Sequence, residues 1–376
     1  MRLRTLHLRH IRAHTETRVD LPAGTTVFVG PNGAGKTNLL EAAGYLGLGK
    51  SVLGASDGHV MQRGAPFFSV EGEISGESRG DARVRVAVVP GEGKRAFVNG
   101  APLERLSELV GSLPLVFISP ADYDLTAGGP TERRRLLDAT LSQAYPVYLD
   151  DLLVYRRALK QRNALLTQLR RGASLPPGTL DAWDEELAVR GARIVARRRE
   201  FLVTFEALLT EAYGLLDAMG AAPSIRYAPS VPATGDDVGD LRRGLRDTSK
   251  RGLAMGRTLV GPHLDEADLT LDGFPIRPFA SQGQHRLFGL GLRLAQALFF
   301  RRHHDETPLL LLDDIFGTLD PHRSGLVLAL LASRTLGQAL VTSARVDPFA
   351  GCLVDDDQVF HVEHGTVTPA PLPLSP

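Results

Sequence analysis

The residues with the clearest chemical potential are those at positions 30–37, which read Gly-Pro-Asn-Gly-Ala-Gly-Lys-Thr. An apolar run precedes them and a helix-like run follows, which is the setting in which GxxxxGK[ST] binds phosphate. The N–H groups of the loop and the positive end of the helix both attract an anion. Lys36 is placed to reach the β- and γ-phosphates, and the Thr37 hydroxyl to bind Mg²⁺. The predicted triphosphate site comprises Gly30, Pro31, Asn32, Gly33, Ala34, Gly35, Lys36, Thr37 and the adjoining Asn38.

A second motif lies far downstream, where the run Pro308-Leu309-Leu310-Leu311-Leu312 ends in Asp313 and Asp314. A run this apolar fits a central strand of a parallel sheet, and carboxylates at its end lie where α/β sheets bind ligands. We expect Asp313 to coordinate Mg²⁺ and Asp314 to orient or deprotonate the attacking water. Taken alone, the run is equally typical of a strand that ends in a polar turn, but the phosphate loop favours catalysis.

A third motif is the segment at residues 279–286, Phe-Ala-Ser-Gln-Gly-Gln-His-Arg, which precedes leucines at helical spacing. Ser281 is placed as the N-cap of that helix, whose first turn would offer N–H groups to an anion. An ordinary capped helix has the same pattern. If this helix start binds an anion, the chain has two anion sites. A bound triphosphate, however, has only one γ-phosphate.

Composition limits the function classes. The chain has 376 residues with 43 basic and 43 acidic side chains, so its net charge gives no argument for nucleic-acid binding. One cysteine, Cys352, excludes an intramolecular disulfide and favours a cytoplasmic setting. Apolar runs are too short for a membrane span.

Periodicity predicts the elements around these motifs. Alternating residues in 1–29 and 67–99 predict antiparallel strands, and helical spacing dominates 131–219, where two helices should form a hairpin. Residues 221–240 are rich in Pro, Gly and Asp and predict a linker with a short strand at Ile225-Arg226-Tyr227. Another strand is expected at Arg257-Thr258-Leu259-Val260.

The order of the motifs resembles the ABC-type ATPase heads of SMC and Rad50 proteins, and within that group the RecF family. The matching stretches follow the family's order along nearly the whole chain, at residues 8–12, 30–41, 117–120, 129–138, 261–263, 280–286 and 312–320. The resemblance implies an α/β fold, an ABC-type ATPase head with a mixed sheet, an antiparallel N-terminal meander and an inserted α-helical lobe. The head would comprise residues 1–130 and 241–376, and the lobe with its linker residues 131–240.

The resemblance also implies a function in recombinational repair. RecF-like proteins bind ATP and DNA without sequence specificity, at gaps or junctions, and form ATP-dependent homodimers. They hydrolyse ATP slowly with Mg²⁺ and assist recombinase loading with RecO- and RecR-like partners. The expected location is the cytoplasm, in association with the nucleoid.

In such heads two subunits enclose two ATP molecules. The signature residues of one subunit would contact the γ-phosphate bound by Lys36 and Thr37 of the other, which accounts for the second anion site. These residues are Ser281, Gln282, Gly283 and Gln284. The resemblance adds Arg12 to the ATP-binding residues and makes Asp320 part of the D-loop.

Three departures from the ABC pattern predict slow hydrolysis. Asp314 stands where a glutamate is usual, Ser343 where a switch histidine is usual, and residues 119–122 where a metal-binding glutamine is usual. We expect turnover below about 10 s⁻¹, the median rate for enzymes.

DNA contacts are expected from arginine clusters in the helical lobe, although such clusters are also typical of a solvated helix face. The candidates are Arg133, Arg134, Arg197 and Arg198. Alternative functions are the ATPase subunit of a transporter, a Rad50- or OLD-like ATPase coupled to a nuclease, and an ATP-dependent scaffold that does not bind DNA.

Overall fold

The computed structural model describes residues 1–76, 80–216 and 220–373. The strands are β1 (Arg2–Ile11), β2 (His14–Asp20), β3 (Thr25–Val29), β4 (Phe68–Gly76), β5 (Gly80–Val89), β6 (Gly93–Val98), β7 (Ala101–Pro102), β8 (Leu115–Ile118), β9 (Pro223–Ala228), β10 (Glu266–Leu271), β11 (Phe274–Pro275), β12 (Leu309–Asp313), β13 (Ala339–Ser343), β14 (Gln358–Glu363) and β15 (Thr366–Ala370). The helices are α1 (Lys36–Leu48), α2 (Asp57–Val60), α3 (Asp124–Ala127), α4 (Pro130–Ala144), α5 (Pro146–Arg170), α6 (Asp181–Gly214), α7 (Asp237–Asp247), α8 (Ser249–Met255), α9 (Ile276–Phe279), α10 (Gln282–His304) and α11 (Pro321–Ala332).

These elements form two compact units. The first unit contains Met1–Tyr123, Glu211–Gly220 and Gln282–Pro376, and the second contains Asp124–Thr210 and Ala221–Ser281. Residues 241–281 therefore belong to the second unit, whereas the sequence assigned them to the head. The reason is pairing: β10 hydrogen-bonds to β9 along its whole length, and both strands belong to the second unit.

Two sheets make up most of the first unit. An antiparallel sheet has the order β2-β1-β4-β5-β6-β7, which confirms the predicted meander. The other sheet has the order β15-β14-β3-β13-β12-β8 and is parallel except for the β14–β15 pair. Side chains alternate across a strand, so one face of β1 is buried, whereas Leu309–Leu312 of β12 is buried throughout. Leu6, Val70, Leu311 and Leu340 from the two sheets share one hydrophobic core with Leu40 of α1.

Helices dominate the second unit. The predicted hairpin is present as α5 and α6, separated by a loop that contains Pro176-Pro177. Helix α7 begins at Asp237, inside the predicted linker at residues 221–240, and α8 lies where no element was predicted. The strand expected at Arg257-Thr258-Leu259-Val260 is absent from this described segment. There the Thr258 backbone N–H donates to Asn163 Oδ1 of α5 at 2.8 Å instead of pairing with a strand.

Among the helices described, none is both long and apolar enough to cross a membrane.

Candidate nucleotide site

The glycine loop joins β3 to α1 and holds two of its glycines in left-handed backbone conformations. Gly33 and Gly35 have φ of +82° and +106°, conformations that side chains disfavour. A Cβ atom on Gly35 would lie 2.8 Å from His14 Nε2, so the close packing of the loop also requires glycine there. No side chain caps the start of α1, where Gly35 is the N-cap. The Asn38 N–H donates to Gly35 O at 3.0 Å, and the remaining N–H groups at this helix start can donate to an anion.

His14 of β2 contacts the backbone of the glycine loop. The side chain is fully buried, with Nε2 at 3.0 Å from Gly35 O and Nδ1 at 2.9 Å from Thr17 Oγ1. Burial lowers the pKa of His14, so the imidazole is neutral near pH 7 and its Nε2 proton can be donated to Gly35 O. Sequence reasoning missed this residue because a single histidine in a strand carries no motif.

Lys36 lies inside the loop and is 7% exposed. Its ammonium donates to Gly30 O at 2.8 Å and to Pro31 O at 2.9 Å, which leaves one of three protons for another acceptor. Burial lowers the pKa of Lys36, and the carboxylates of Asp314 and Asp313 oppose that shift. The cation is thus held among phosphate-binding groups and close to both acids.

Thr37 and Asp313 meet at the carboxyl ends of the parallel strands. Thr37 Oγ1 donates to Asp313 Oδ1 at 2.7 Å, and Thr342 Oγ1 of the neighbouring strand β13 donates to the same oxygen at 2.7 Å. Hydroxyl and carboxylate oxygens are the ligands that Mg²⁺ prefers, together with phosphate oxygens and water. No group of three His, Cys, Asp or Glu side chains suited to a metal occurs within the described ranges. The pair therefore fits an ion that takes few protein ligands.

Asp314 turns away from β12. Its φ of +50° is left-handed, and its backbone N–H donates to Thr342 Oγ1 at 3.0 Å. Asp314 is exposed, and its neighbour Asp313 is partly exposed. An exposed carboxylate at this position is available to a water molecule.

Two of the positions that depart from the ABC pattern form hydrogen bonds within the fold. Ser343 Oγ donates to Arg345 O at 2.7 Å and closes the turn after β13. Asp122 accepts from the Ser119 backbone N–H at 2.9 Å and from Arg293 Nη2 at 2.7 Å. Neither side chain contacts Asp313 through these bonds.

The signature residues lie on the surface. Ser281 directly precedes α10, and Ser281, Gln282 and Gln284 are exposed. His285, the next residue, is buried with its ring centroid 5.4 Å from that of Tyr123. The helix is thus anchored on one side and presents its first polar side chains outward. The capping role of Ser281 remains a prediction.

Asp320 and Arg12 have defined partners. Asp320 caps α11 by accepting from the Arg323 N–H at 2.9 Å, which contributes to lowering its pKa. Arg12 Nε and Nη2 donate to Glu41 of α1 at 3.0 and 3.1 Å, and Glu41 is fully buried. Hydrogen bonding to Glu41 raises the pKa of Arg12. The two hydrogen bonds to Glu41 fix the position of the Arg12 guanidinium. A contact between Arg12 and ATP remains a prediction.

Comparisons with known proteins decide the family. Residues 2–368 match the family model of the RecF/RecN/SMC N-terminal domain. The DNA replication and repair protein RecF of Salinibacter ruber is 47% identical over 359 residues, which cover 94% of this chain and 87% of that protein. RecF of Chloroherpeton thalassium is 37% identical, covering 93% and 96%. The chain belongs to the RecF family.

Solved structures agree with the RecF assignment. The recombination mediator protein RecF with ATP, of the RecFOR pathway, matches with a TM-score of 0.89 at 26% identity, covering 98% of this chain and 97% of that one. An Smc head bound to the winged-helix domain of ScpA matches with a TM-score of 0.57 at 16% identity, which shows a shared fold alone. The predicted ABC-type head is confirmed. Membership in the RecF family leaves the transporter alternative without support.

Two of the arginines expected to bind DNA in this RecF-family chain are structural. Arg198 is 1% exposed and donates to Asp138 Oδ1 and Pro262 O, both at 2.7 Å. Arg133 is 8% exposed and forms two hydrogen bonds to Glu266, at 2.8 and 2.7 Å. Those two predictions were wrong, because a buried guanidinium with a carboxylate partner cannot reach a phosphate.

The other two candidate arginines, Arg134 and Arg197, also have partners within the protein. Arg134 Nη1 donates to Asp265 O at 2.8 Å. Arg197 lies 4.4 Å from the centre of the Tyr145 ring and pairs with Glu200 at 2.8 Å. Both side chains are partly exposed, so a DNA contact by either remains a prediction.

Proposed function

We propose that this chain is an ATP-dependent DNA-binding protein of recombinational repair that binds ATP together with Mg²⁺. The observation that carries the proposal is the 2.7 Å hydrogen bond between Thr37 of the phosphate loop and Asp313 of β12. It brings a magnesium hydroxyl ligand and a magnesium carboxylate ligand together beside the Lys36 ammonium. The names of the RecF relatives and the ATP in the solved RecF structure support the same role.

ATP binding would close a homodimer. Ser281, Gln282 and Gln284 are exposed, polar and placed at the start of α10. When two copies meet, these residues and Gly283 of one subunit would contact the γ-phosphate held by Lys36 of the other. ATP then stabilises the dimer because it contacts both subunits only when they associate. A symmetric dimer of this kind can hold DNA at a gap or junction.

Hydrolysis would reset the dimer slowly. Asp314 is exposed and would orient the attacking water, and Lys36 would neutralise charge that develops on the phosphates. Mg²⁺, held by Thr37 and Asp313, would supply further positive charge there. The carboxylate of Asp314 is one methylene shorter than a glutamate, so its reach toward that water is reduced. We place the turnover below about 10 s⁻¹. RecO- and RecR-type mediators are the expected partners, in the cytoplasm.

Mixing two inactive variants tests the shared site. Lys36→Ala removes nucleotide binding from its own loop, and Ser281→Arg blocks the surface that the partner subunit needs. Each variant alone should show no ATPase activity. An equimolar mixture should regain activity, because one site per mixed dimer combines an intact loop with an intact signature. If the mixture stays inactive while Ser281→Arg still binds ATP, the two-subunit site is wrong.

A further inference from the structure

Two stretches of the second unit contain no acidic residue. Residues 152–180 include four arginines or lysines in 156–162 and two more at 170–171, without one Asp or Glu. Residues 248–264 include Lys250, Arg251 and Arg257, again without Asp or Glu. The first stretch covers most of α5, and the second covers α8 and the segment that follows it.

The fold brings the two stretches together. Arg170 Nη1 at the end of α5 donates to Met255 O of α8 at 3.3 Å, and Thr167 Oγ1 donates to Gly256 O at 3.2 Å. Gly256 ends α8 with φ of +67°, so the chain turns back and the Arg257 N–H donates to Gly252 O at 3.0 Å. The ends of α5 and α8 thus share one region of the surface. We call it the cationic surface, made up of Arg170, Arg171, Lys250, Arg251 and Arg257.

The charges of the cationic surface are not compensated. All five residues are exposed. None of the five side chains forms an ion pair with an acidic side chain in the described part of the chain. The nearest acid before α8 in sequence, Asp247, forms no ion pair with them either. Two other exposed arginines of the same unit do have carboxylate partners: Arg156 pairs with Asp138 at 2.8 Å, and Arg242 pairs with Glu185.

We propose that the cationic surface binds the phosphate backbone of DNA. This inference rests on the proposed function and gives its DNA contacts a location. A cation that already has a carboxylate partner gains little from a phosphate, whereas an unpaired one releases a counterion from DNA when it binds. Arginine also suits phosphate because its guanidinium can donate two parallel hydrogen bonds. The contacts are to the backbone, so binding is independent of base sequence.

The test compares unpaired with paired cations in the full-length chain. The triple variant Lys250→Ala, Arg251→Ala, Arg257→Ala is compared with the single variants Arg156→Ala and Arg242→Ala. Binding to a gapped duplex is followed by fluorescence anisotropy with ATP and Mg²⁺ over a series of NaCl concentrations. The slope of log K against log salt should become shallower by about three for each subunit that contacts the duplex in the triple variant, and remain unchanged in both controls.

A second variant on the other helix guards against a folding artefact. Arg170→Gln with Arg171→Gln should make the slope shallower by about two for each subunit that contacts the duplex, without loss of the ATP-dependent dimer measured by light scattering. Slopes equal to that of the wild type in both variants overturn the assignment. So does a triple variant that binds DNA normally but loses a RecO- or RecR-type protein, because the surface would then be a protein interface. Wild-type protein that binds no DNA overturns the proposed function as well.

Discussion

Thr37 Oγ1 donates a 2.7 Å hydrogen bond to Asp313 Oδ1, although 276 positions separate the two residues in the chain. The register of the parallel sheet makes this possible, because Asp313 of β12 lies beside Thr342 of β13, and β13 lies beside β3, which leads into the loop. Thr342 donates to the same Asp313 oxygen and fixes it from the other side. The pairing of the sheet therefore brings the two proposed magnesium ligands together.

Replacing Thr37 with valine should abolish the effect of Mg²⁺ on ATP binding. Valine keeps the shape of threonine but lacks the hydroxyl, so we expect ATP affinity in Mg²⁺ to fall by about tenfold or more. Thr37→Ser retains the hydroxyl and should bind normally. Titration of a fluorescent ATP analogue with and without Mg²⁺ measures both.

Thr26→Val is the matched control for that experiment. Thr26 is fully buried on β3, and its Oγ1 has no hydrogen-bond partner in the described structure. Removing an unsatisfied buried hydroxyl should leave ATP binding unchanged and raise the free energy of unfolding by about 1 kcal/mol. Weaker Mg²⁺-dependent binding in this control would mean that Thr37→Val acts by disturbing the sheet.

Arg198→Met should destabilise the protein without changing the salt dependence of DNA binding. The substitution removes the buried partner of the Asp138 carboxylate at 2.7 Å, while Arg156 remains at 2.8 Å, so we expect a loss below the about 3–5 kcal/mol of a fully unpaired buried charge. Urea unfolding measures the loss, and DNA binding is measured on the folded fraction at low temperature. A variant as stable as the wild type with a lower salt slope would restore Arg198 as a DNA contact.

His263 should make the second unit sensitive to acid. Its side chain contacts the Tyr155 hydroxyl at 2.6 Å, and burial lowers its pKa to about 4. Between that value and about 6.5 the unfolded chain binds more protons than the folded one, so stability falls as the pH falls. The loss from this group reaches about 3 kcal/mol at pH 4.

His263→Gln removes that titration. Urea unfolding of the wild type and the variant at pH 7 and pH 4.5 gives two losses of stability, and the loss should be smaller for the variant. Because carboxylates titrate in both proteins, the difference between the two losses isolates His263. Equal losses would show that His263 is already protonated in the folded state at pH 4.5.

The sequence predicted the elements around the candidate nucleotide site better than it predicted helix α8 and the partners of the arginines. The loop at residues 30–37 and the strand before Asp313 depend on local patterns, since glycine spacing and an apolar run are written in adjacent residues. Helix α8 was missed because Gly252 and Gly256 lie in and after a seven-residue helix, too short to show a period. The arginine partners could not be read at all: Arg133 pairs with Glu266, and 133 positions separate them.

Light scattering by the Asp314→Asn variant measures whether ATP closes a dimer of this chain. This variant should bind ATP and Mg²⁺ but not hydrolyse it, so that the associated state persists. We expect one chain's mass without nucleotide, twice that mass with ATP and Mg²⁺, and a larger species when gapped DNA is added. A monomer under every condition would contradict the ATP-closed dimer, and a dimer that ignores gapped DNA would contradict its role as a DNA clamp.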